Sequence, residues 1–600
     1  MPQPPLPPEL VSHDIPLSAG LARDTWRGSA TAAVRRAYAA DPEQGWQCWR
    51  NELASRSRPS SGEHYGRPSP WWFLGGLPEG ITLPDWPLGA RPPGGESVDD
   101  RALPRDVEAW IDRSREPAAS IHRAIEAVVI AGALPRLARQ LSPGLWWRLL
   151  DWLLAMADDA GAIDLKTAPL AHQLLAGELP LTLAWRLPEV RPCWQRRSVA
   201  RRALSSGPVE LLDGEGLPHA DWISQTGPLL GCWTRCRAIG EQLAGGCFDR
   251  AAQLQYEWLV RQALRLLRPD GTLPLTNGQS LPVSAELLKA ALRLGGDEED
   301  WQIAARVLPG WKKQHTWPPE AMPEPSLHSE WAEVAVLRGS WSRVAPRLTV
   351  AYASEPLMAE LVGGGELLFS AQWACDVRFA GQAVHAASDW VALCWHVDEG
   401  VDYLELELEL DAGLVLQRQI FLAGADRIAL LADAVLAPHP GRIEYASRLP
   451  LAPGVEFEAA EQTREGWLVG RERLGRVFPL ALPEWREEHC EGELEVVQHQ
   501  LQWRQTADAR RLYAPMLFDL DPKRIDRKAT WRRLAVAESL EAQPAEVAVG
   551  YRVAVGQKQW LIYRSLAERA NRTLLGHNLV SESLIARFRR GKVEPLVEIE

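Results

Sequence analysis

Three potential metal ligands occupy alternate positions in one short apolar segment of the chain. In the sequence VALCWHVD these residues are Cys394, His396 and Asp398. Because successive side chains of a β-strand point to opposite faces, the three would share one face of a strand. A thiolate, an imidazole and a carboxylate are zinc ligands, so a fourth ligand from another strand would complete a zinc site. The alternative is an ordinary strand that carries a buried thiol and two polar residues near its end.

A second group of reactive side chains lies in the sequence LLDGEGLPHADW, residues 211–222. It supplies three carboxylates, and a pair of carboxylates facing each other across a cleft is the arrangement that hydrolyses a glycosidic bond. These carboxylates belong to Asp213, Glu215 and Asp221. His219 lies in the same stretch, and in the simplest interpretation it only caps or orients the start of a helix.

The elements that must position these residues fall into a helical part and a strand-forming part. Over residues 101–315 apolar residues recur at helical spacing, as at Ile121 and Ile125, and predict about nine helices with short connections. Antiparallel helix pairs of this kind close into a toroid or stack as a solenoid. Residues 327–600 alternate with a period of two and predict a large antiparallel β-sandwich. The first 100 residues are rich in Pro and Gly and predict an irregular arm.

The clearest alternation occurs in residues 404–410, where leucine and glutamate take turns along the chain. A strand with this pattern has one apolar face and one anionic face. We therefore expect the glutamates to form a solvated outer face rather than a cation site. They are Glu405, Glu407 and Glu409.

Composition and charge exclude several classes of protein. The formal net charge is -12, and no lysine or arginine cluster is typical of a nucleic-acid interface, so we expect no nucleic-acid partner. The sequence shows neither a signal peptide nor an apolar stretch of membrane-spanning length, which predicts a cytoplasmic, non-membrane protein. The eight cysteines form no CxxC pair, which favours reduced thiols. Cys232 and Cys236 are four residues apart, and we expect them to be buried core thiols.

Several stretches resemble the heparinase II/III-like family of polysaccharide lyases, in the order in which that family carries them. In the helical part they are LLAGELPLTLAW (174–185), the DG-containing stretch 211–222 and RPDGTLPLTNG (268–278). In the strand-forming part, QRQIFLAGADRIALLADAV (417–435) is similar to a pair of central strands of the family. The resemblance implies a multidomain α and β protein, with an N-terminal (α/α) toroid-like helical domain followed by a large antiparallel β-sandwich.

The resemblance also implies a chemistry, which is β-elimination on a uronate-containing glycan. That reaction needs a neutral group to offset the uronate carboxylate, a base to remove the proton α to it, and an acid for the leaving oxygen. In this sequence substitute residues could supply these parts, with Asn277 for the carboxylate, His219 as base and Tyr256 as acid. In the alternative interpretation Tyr256 is a half-buried helix residue and Asn277 and Gly278 form a turn. Trp222 would be a sugar platform, with Asp221 beside it. The expected partner is an acidic polysaccharide or oligosaccharide.

The sequence also departs from the pattern of active relatives at several positions. Glu178 stands where active members commonly carry Asn or His, and no tyrosine occurs between Tyr65 and Tyr256. An HxHxD-like run is absent from residues 352–367, and Tyr445 stands where many members keep a histidine. These departures favour the alternative of a non-catalytic relative that binds a glycan or a protein partner with a degenerate active site.

Overall fold

The computed structural model describes residues 25–56, 102–113, 120–274, 283–308, 310–311 and 322–600. The chain divides into two compact units. The first, called the helical unit, comprises Met1–Gly216, Gln225–Val260 and Val283–Gly295. The second, called the sandwich unit, comprises Leu217–Ser224, Arg261–Pro282 and Gly296–Glu600. Helices in the first part of the chain and antiparallel sheets in the second confirm the predicted fold class.

Helices account for nearly all regular structure before residue 308. In chain order they are α1 (Ala32–Ala40), α2 (Pro42–Arg56), α3 (Leu103–Arg113), α4 (Ile121–Leu137), α5 (Pro143–Asp159), α6 (Pro169–His172), α7 (Leu179–Arg186), α8 (Arg191–Gln195), α9 (Arg197–Leu211), α10 (Thr226–Gly240), α11 (Arg250–Leu266), α12 (Ala285–Gly295) and α13 (Glu298–Val307). Short 3-10 helices cover Ala160–Ala162 and Ala220–Gln225. No helix in the described ranges is long and apolar enough to cross a bilayer.

Two of these helices lie inside the segment predicted to be an irregular arm. Residues 32–56 contain a single proline, Pro42, which is the first residue of α2, where the missing N–H breaks no helical hydrogen bond. The Thr31 hydroxyl caps α1 by accepting a hydrogen bond from the Val34 N–H at 3.3 Å. The arm prediction was therefore wrong for this stretch, because the helix-breaking residues lie on either side of it.

A π-helical turn over Gln173–Glu178 joins α6 to α7. Its side chains are buried, and it packs closely against α9, where a Cβ atom at Gly207 would come within 2.3 Å of Gln173 Oε1. The Trp233 indole N–H donates to this same oxygen at 2.9 Å. Isolated π-helical turns widen a helix locally and are frequent near functional sites.

The sandwich unit contains one very large sheet and two smaller ones, all antiparallel. The strands are β1 (Leu327–Ser329), β2 (Val334–Arg338), β3 (Arg347–Ala351), β4 (Leu357–Gly363), β5 (Glu366–Phe379), β6 (Gln382–Val384), β7 (Val391–Asp398), β8 (Val401–Leu410), β9 (Leu414–Ala423), β10 (Ile428–Pro450), β11 (Glu456–Ala459), β12 (Gly466–Val469), β13 (Arg473–Pro479), β14 (Gly492–Val497), β15 (Gln500–Asp519), β16 (Ala529–Leu534), β17 (Val536–Glu538), β18 (Glu541–Ala542), β19 (Ala548–Val555), β20 (Lys558–Ser565), β21 (Arg572–Leu574), β22 (His577–Leu579), β23 (Ser583–Arg589) and β24 (Lys592–Ile599). The large sheet contains β1–β15, in the order β1-β2-β3-β4-β5-β10-β15-β13-β12-β11, with β6–β9 and β14 paired off this path. The others are β16-β19-β20-β23-β24 and β18-β17-β21-β22.

Strand β8 has a core on each of its faces. Leu404 and Leu406 belong to one hydrophobic cluster, built from β2–β5 and β8–β15. Tyr403 belongs to a second cluster, which includes Trp531, Tyr551 and residues of the five-stranded sheet. The five-stranded sheet therefore covers the face of β8 that the sequence pattern indicates to be solvated.

This covering layer corrects the expectation for the glutamates of β8. Glu405 is 4% exposed and forms an ion pair with Arg564 of β20, whose Nη2 lies 2.6 Å from Glu405 Oε1. The Tyr403 hydroxyl donates a further hydrogen bond to the same carboxylate. Only Glu409 is fully exposed, and Glu407 is half-buried. Arg564 neutralises Glu405, and this allows the carboxylate to be buried. Arg564 lies on a different sheet, about 160 positions later in the chain.

A second buried carboxylate on β8, that of Asp402, has no cationic partner at its oxygens. Asp402 Oδ2 accepts a hydrogen bond from the Arg338 backbone N–H at 2.8 Å, and Oδ1 has no partner. Burial raises the pKa of Asp402 to about 7. The carboxyl group therefore stays protonated in the fold at pH values where an unfolded chain would ionise it.

Removing the charge of Glu405 tests whether the buried pair holds the two sheets together. We expect Glu405→Gln to lower the free energy of unfolding by about 3 kcal/mol, because it leaves the buried Arg564 guanidinium without its main counter-charge. Glu409→Gln, on the same strand but exposed, should change it by less than about 0.5 kcal/mol. Urea unfolding followed by fluorescence measures both, and equal effects would contradict the assigned burial.

The raised pKa of Asp402 predicts a pH dependence of stability. An unfolded aspartate ionises near pH 4, whereas folded Asp402 holds its proton up to about pH 7. Stability should therefore fall as the pH rises between these values, since the folded state binds the extra proton there. Asp402→Asn should remove this decline, and the exposed Asp508→Asn should leave it intact. Unfolding free energies measured from pH 4 to 8 would decide, and an unchanged decline in Asp402→Asn would refute the assignment.

Candidate functional site

His219 lies at the start of the 3-10 helix Ala220–Gln225, between two tryptophans. Its ring centroid is 5.4 Å from that of Trp222 and 4.8 Å from that of Trp331. Trp331 is 46% exposed and follows β1, and its carbonyl accepts a hydrogen bond from the Ala220 N–H. His219 Nδ1 faces Asp221, whose N–H lies 3.3 Å and whose Oδ2 lies 3.5 Å from it, so Nε2 is directed away from Asp221. His219 and Trp222 are therefore brought together, as the sequence predicts, within the sandwich unit.

A second histidine in the same unit is hydrogen-bonded to a tyrosine. His328 of β1 lies with Nε2 2.9 Å from the hydroxyl of Tyr352, which follows β3. His328 is half-buried, Tyr352 is buried, and the His328 ring lies 5.3 Å from the ring of Trp395 on β7. Burial lowers the pKa of His328 and raises the pKa of Tyr352. At neutral pH the pair is therefore a neutral imidazole beside a protonated phenol.

The loop between β1 and β2 connects the two histidines. The Glu333 carbonyl accepts a hydrogen bond from the Tyr352 N–H at 2.9 Å, and Glu333 adopts a left-handed backbone conformation with φ of 48°. Burial raises the pKa of Glu333, and nearby His219 opposes that rise. We call these residues together the His–Trp surface: His219, Trp222, His328, Trp331, Glu333, Tyr352 and Trp395. A non-glycine residue with positive φ costs of order 1–3 kcal/mol, and such strain concentrates at functional sites.

Tyr256, the expected acid, is sealed inside the helical unit. Its side chain is 0% exposed, and its hydroxyl lies 3.1 Å from the Thr234 hydroxyl. A Cβ atom on Gly295 would come within 2.6 Å of the Tyr256 ring, so α12 packs directly on it. Burial raises the pKa of Tyr256, and this phenol is not accessible to a polymer. Asn277, the expected carboxylate-binding residue, lies outside the described residues.

Glu178, at the end of the π-helical turn, is buried in an ion pair. Arg235 of α10 donates from Nε and Nη2 to the two carboxylate oxygens, at 2.5 and 2.8 Å. A bidentate pair of this kind holds both partners in a fixed geometry. Glu178 therefore carries no free negative charge that would repel a substrate carboxylate.

Metal-ligand geometry is found in a different place from the one predicted. Within the described part of the chain, one group of three ligand residues has its ligand atoms within 4.8 Å of one another, and it consists of Glu178, Cys232 and Cys236. Cys394, His396 and Asp398 do lie on a strand, β7, but they do not form such a group. Burial raises the pKa of both Cys232 and Cys236, and Arg235 already neutralises Glu178. Protonated thiols beside a paired carboxylate fit the predicted buried core thiols better than a metal site.

A cavity of about 580 Å³ in the sandwich unit lies over β5 and β10. Tyr445 forms part of its wall and donates a hydrogen bond to Asp433, which is paired with Arg418 at 2.7 Å. The rim arginine Arg448 is paired with Asp376. Tyr445 and the Asp433–Arg418 pair thus satisfy one another, as do Arg448 and Asp376.

His328 and Tyr352 are the residues that sequence reasoning missed. In the sequence His328 is an isolated histidine, and nothing in its neighbours indicates chemistry. Strand pairing brings the two together: His328 is paired with Ala335, and Ala335 with Val350, two positions before Tyr352. Paired residues point to the same face of a sheet, so this register was the missing signal.

No known protein-family model matches the sequence. No curated protein matches it either.

Solved structures do resemble the fold. A structure of heparinase III superposes with a TM-score of 0.56 at 11% identity, covering 90% of this chain and 99% of that one. A mutant of the heparan sulfate lyase HepC from Pedobacter heparinus gives a TM-score of 0.55 at 11% identity, covering 89% of this chain and 97% of that one. A second heparinase III gives 0.54 at 12% identity, covering 89% and 83%. The chain thus has a heparinase-like, polysaccharide lyase-like fold with a strongly divergent sequence.

Proposed function

We propose that the protein binds a uronate-containing glycan at the His–Trp surface and cleaves it by β-elimination, with His328 as the base. The observation that carries this proposal is the hydrogen bond between His328 and the buried Tyr352. It fixes the imidazole beside Trp395, and the lowered pKa of His328 keeps the ring neutral and able to accept a proton. The heparinase-like fold supports the choice of reaction class.

The tryptophans and His219 account for binding. Trp331 and Trp222 present aromatic rings on either side of His219, and the apolar face of a sugar ring packs against such rings. The Nε2–H of His219 is directed away from its bond to the Asp221 N–H and can donate to a uronate carboxylate. A donor to that carboxylate stabilises the enolate-like charge that develops when the neighbouring proton leaves.

In the proposed elimination, the proton and the electron pair move only between the glycan and His328. With Nε2–H donating to the Tyr352 hydroxyl, His328 Nδ1 takes the proton from the carbon α to the carboxylate, and the released electron pair forms a carbon–carbon double bond. The bond from the β-carbon to the glycosidic oxygen breaks, and the imidazolium returns the proton to that oxygen. Tyr352 is a positioning residue here, because its buried hydroxyl orients His328.

A second candidate is a glycan-binding protein without catalytic activity. Two observations support it: Tyr256 is inaccessible, and Glu178 is held in an ion pair with Arg235. Carboxylates lie at the His–Trp surface as well, with Asp221 and Asp389 both within electrostatic reach of Glu333. These charges oppose the approach of an acidic glycan and weaken the case for turnover.

His328→Gln distinguishes turnover from binding. Incubation of the full chain with a panel of acidic glycans should produce the ultraviolet absorbance of an unsaturated uronate, and His328→Gln should reduce its rate at least about 100-fold, the low end for general-base loss. The exposed His439→Gln is the matched control and should retain the full rate. Binding by calorimetry without any absorbance change in the wild type would instead establish the non-catalytic candidate.

The lowered pKa of His328 fixes the direction of two pH effects. The rate should fall on acidification only below the ordinary histidine value of 6.5, because the base is active when neutral. Stability should fall in the same direction, since an unfolded histidine binds the proton that the folded one refuses. His328→Gln should lessen that acid-side loss of stability. A rate that declines with a midpoint above pH 7 would contradict the assignment.

Tyr256→Phe tests whether the buried Tyr256 takes part in the reaction. We expect it to lower the free energy of unfolding by about 1 kcal/mol, because the bond to Thr234 is lost in the core, and to leave the rate of product formation unchanged. Thr234→Val removes the other partner and should have a similar effect on stability. A large loss of rate at unchanged stability would restore Tyr256 as the acid.

A further inference from the structure

The helical unit carries a short segment whose charge is opposite to that of the chain as a whole. Residues 186–209 contain six arginines and a single acidic residue, Glu189, in a chain of net charge -12. The arginines are Arg186, Arg191, Arg196, Arg197, Arg201 and Arg202. They lie at the end of α7, at the start of α8, between α8 and α9, and in the first turns of α9.

Two arginines in this region stack on one tryptophan. The guanidinium carbon of Arg27 lies 3.8 Å from the ring centroid of Trp194, and that of Arg197 lies 4.3 Å from it. Arg27 also donates from Nη1 to the Pro188 carbonyl at 2.7 Å, and Arg197 from Nη1 to the Ala244 carbonyl at 2.8 Å. Each guanidinium is thus held by a ring and a carbonyl, with further N–H groups left over.

A third arginine extends the group along α9. Arg201 is one turn beyond Arg197 and donates to the Phe248 carbonyl at 3.2 and 3.3 Å. Arg201 and the adjacent Arg202 are exposed, whereas Arg27 and Arg197 are half-buried. We call Arg27, Trp194, Arg197, Arg201 and Arg202 the arginine cluster.

The cationic groups of the arginine cluster form no ion pair with any residue that the structure describes. Among the described residues, the ion pairs of the region include Arg196 with Asp158, and none involves Arg27, Arg197, Arg201 or Arg202. Like charges four residues apart on a helix repel each other, so the pair Arg197 and Arg201 destabilises α9 slightly. Carbonyl groups and an indole hold them together in spite of that repulsion. An arrangement that opposes stability and leaves its charge uncompensated is typical of a binding surface.

We propose that the arginine cluster is an anion-binding surface for the carboxylate or sulfate groups of an acidic glycan chain. A planar guanidinium with several free N–H groups matches a carboxylate or sulfate in bidentate fashion. Because ring and carbonyl contacts already restrict the side chains, binding loses little conformational entropy. The choice of a glycan rather than another polyanion rests on the proposed function.

The matched variants lie on the same segment. Arg27→Ala/Arg197→Ala removes the two stacked guanidinium groups, and Arg196→Ala removes a neighbouring arginine that is already paired with Asp158. Calorimetry of the full chain should use a polyuronate that carries only carboxylates, a sulfated glycosaminoglycan, a neutral glucan and duplex DNA. Thermal unfolding of each variant controls for folding.

We expect the double variant to bind the acidic glycan at least about tenfold more weakly at low salt, with a shallower dependence of affinity on salt concentration, because fewer counterions are displaced. Arg196→Ala should bind as the wild type does. The polyuronate and the sulfated glycan, compared with each other, identify the anionic group that is recognised. Equal affinity and salt dependence in the double variant, or tighter binding of DNA than of either glycan, would overturn the proposal.

His328→Gln separates this inference from the proposed function. If His328→Gln abolishes product formation but keeps glycan affinity, both proposals stand. If no protein forms product and affinity still depends on Arg27 and Arg197, the arginine cluster stands while β-elimination fails. If product forms at the wild-type rate and with unchanged affinity in the double variant, the arginine cluster fails alone.

Discussion

The covering of strand β8 on both faces is the constraint on which the sandwich unit depends. A strand buried on two sides must either be apolar throughout or supply partners for every polar side chain it carries. β8 supplies partners for Glu405, which is matched by Arg564 and Tyr403, and the Tyr403 hydroxyl accepts from Gln419 of β9 at 2.8 Å. Asp402 of the same strand, whose Oδ1 has no partner, is instead kept protonated by its raised pKa. The network ties the large sheet to the five-stranded sheet through directional bonds that a purely apolar contact would lack. Relative sliding of the two sheets would leave a charge unpaired, so the network favours a single arrangement.

The fixed arrangement of the two sheets supports the His–Trp surface only indirectly. His328 belongs to the edge strand β1, and Trp395 to β7, which is paired only with β8. Edge strands keep one side free for ligands while the ladder beneath them stays intact. Tyr352 links the core to the edge strand β1, because its ring packs in the core while its hydroxyl is hydrogen-bonded to His328. His328, on an accessible edge strand, is thereby held in place by the core residue Tyr352.

Sequence periodicity predicted the order and type of the elements but not the contacts between distant ones. The stripe of Ile121 and Ile125 correctly indicates α4, and the leucines of residues 404–410 correctly indicate one buried face of β8. The burial of Glu405 was missed because its partner Arg564 belongs to a different sheet. Tyr256 was expected to be reactive from its type and neighbourhood, whereas the packing of Gly295 against its ring decides that it is buried. The pairing of His328 with Tyr352 follows from strand register, which local pattern does not encode.

Under the proposed function, the distribution of charge would give the two units different parts in glycan recognition. Glu333 lies near His219 and Glu330 near His328, so binding of a polyanion there would rely on short contacts with imidazole and indole rings. The arginine cluster of the helical unit has the opposite sign and holds its guanidinium groups ready. Long-range attraction falls off within about 10 Å at 0.1 M salt, whereas ring stacking and hydrogen bonds do not depend on ionic strength in this way. Capture of an acidic chain should therefore be salt-sensitive and follow Arg27 and Arg197, while the chemical step should be far less salt-sensitive and follow His328.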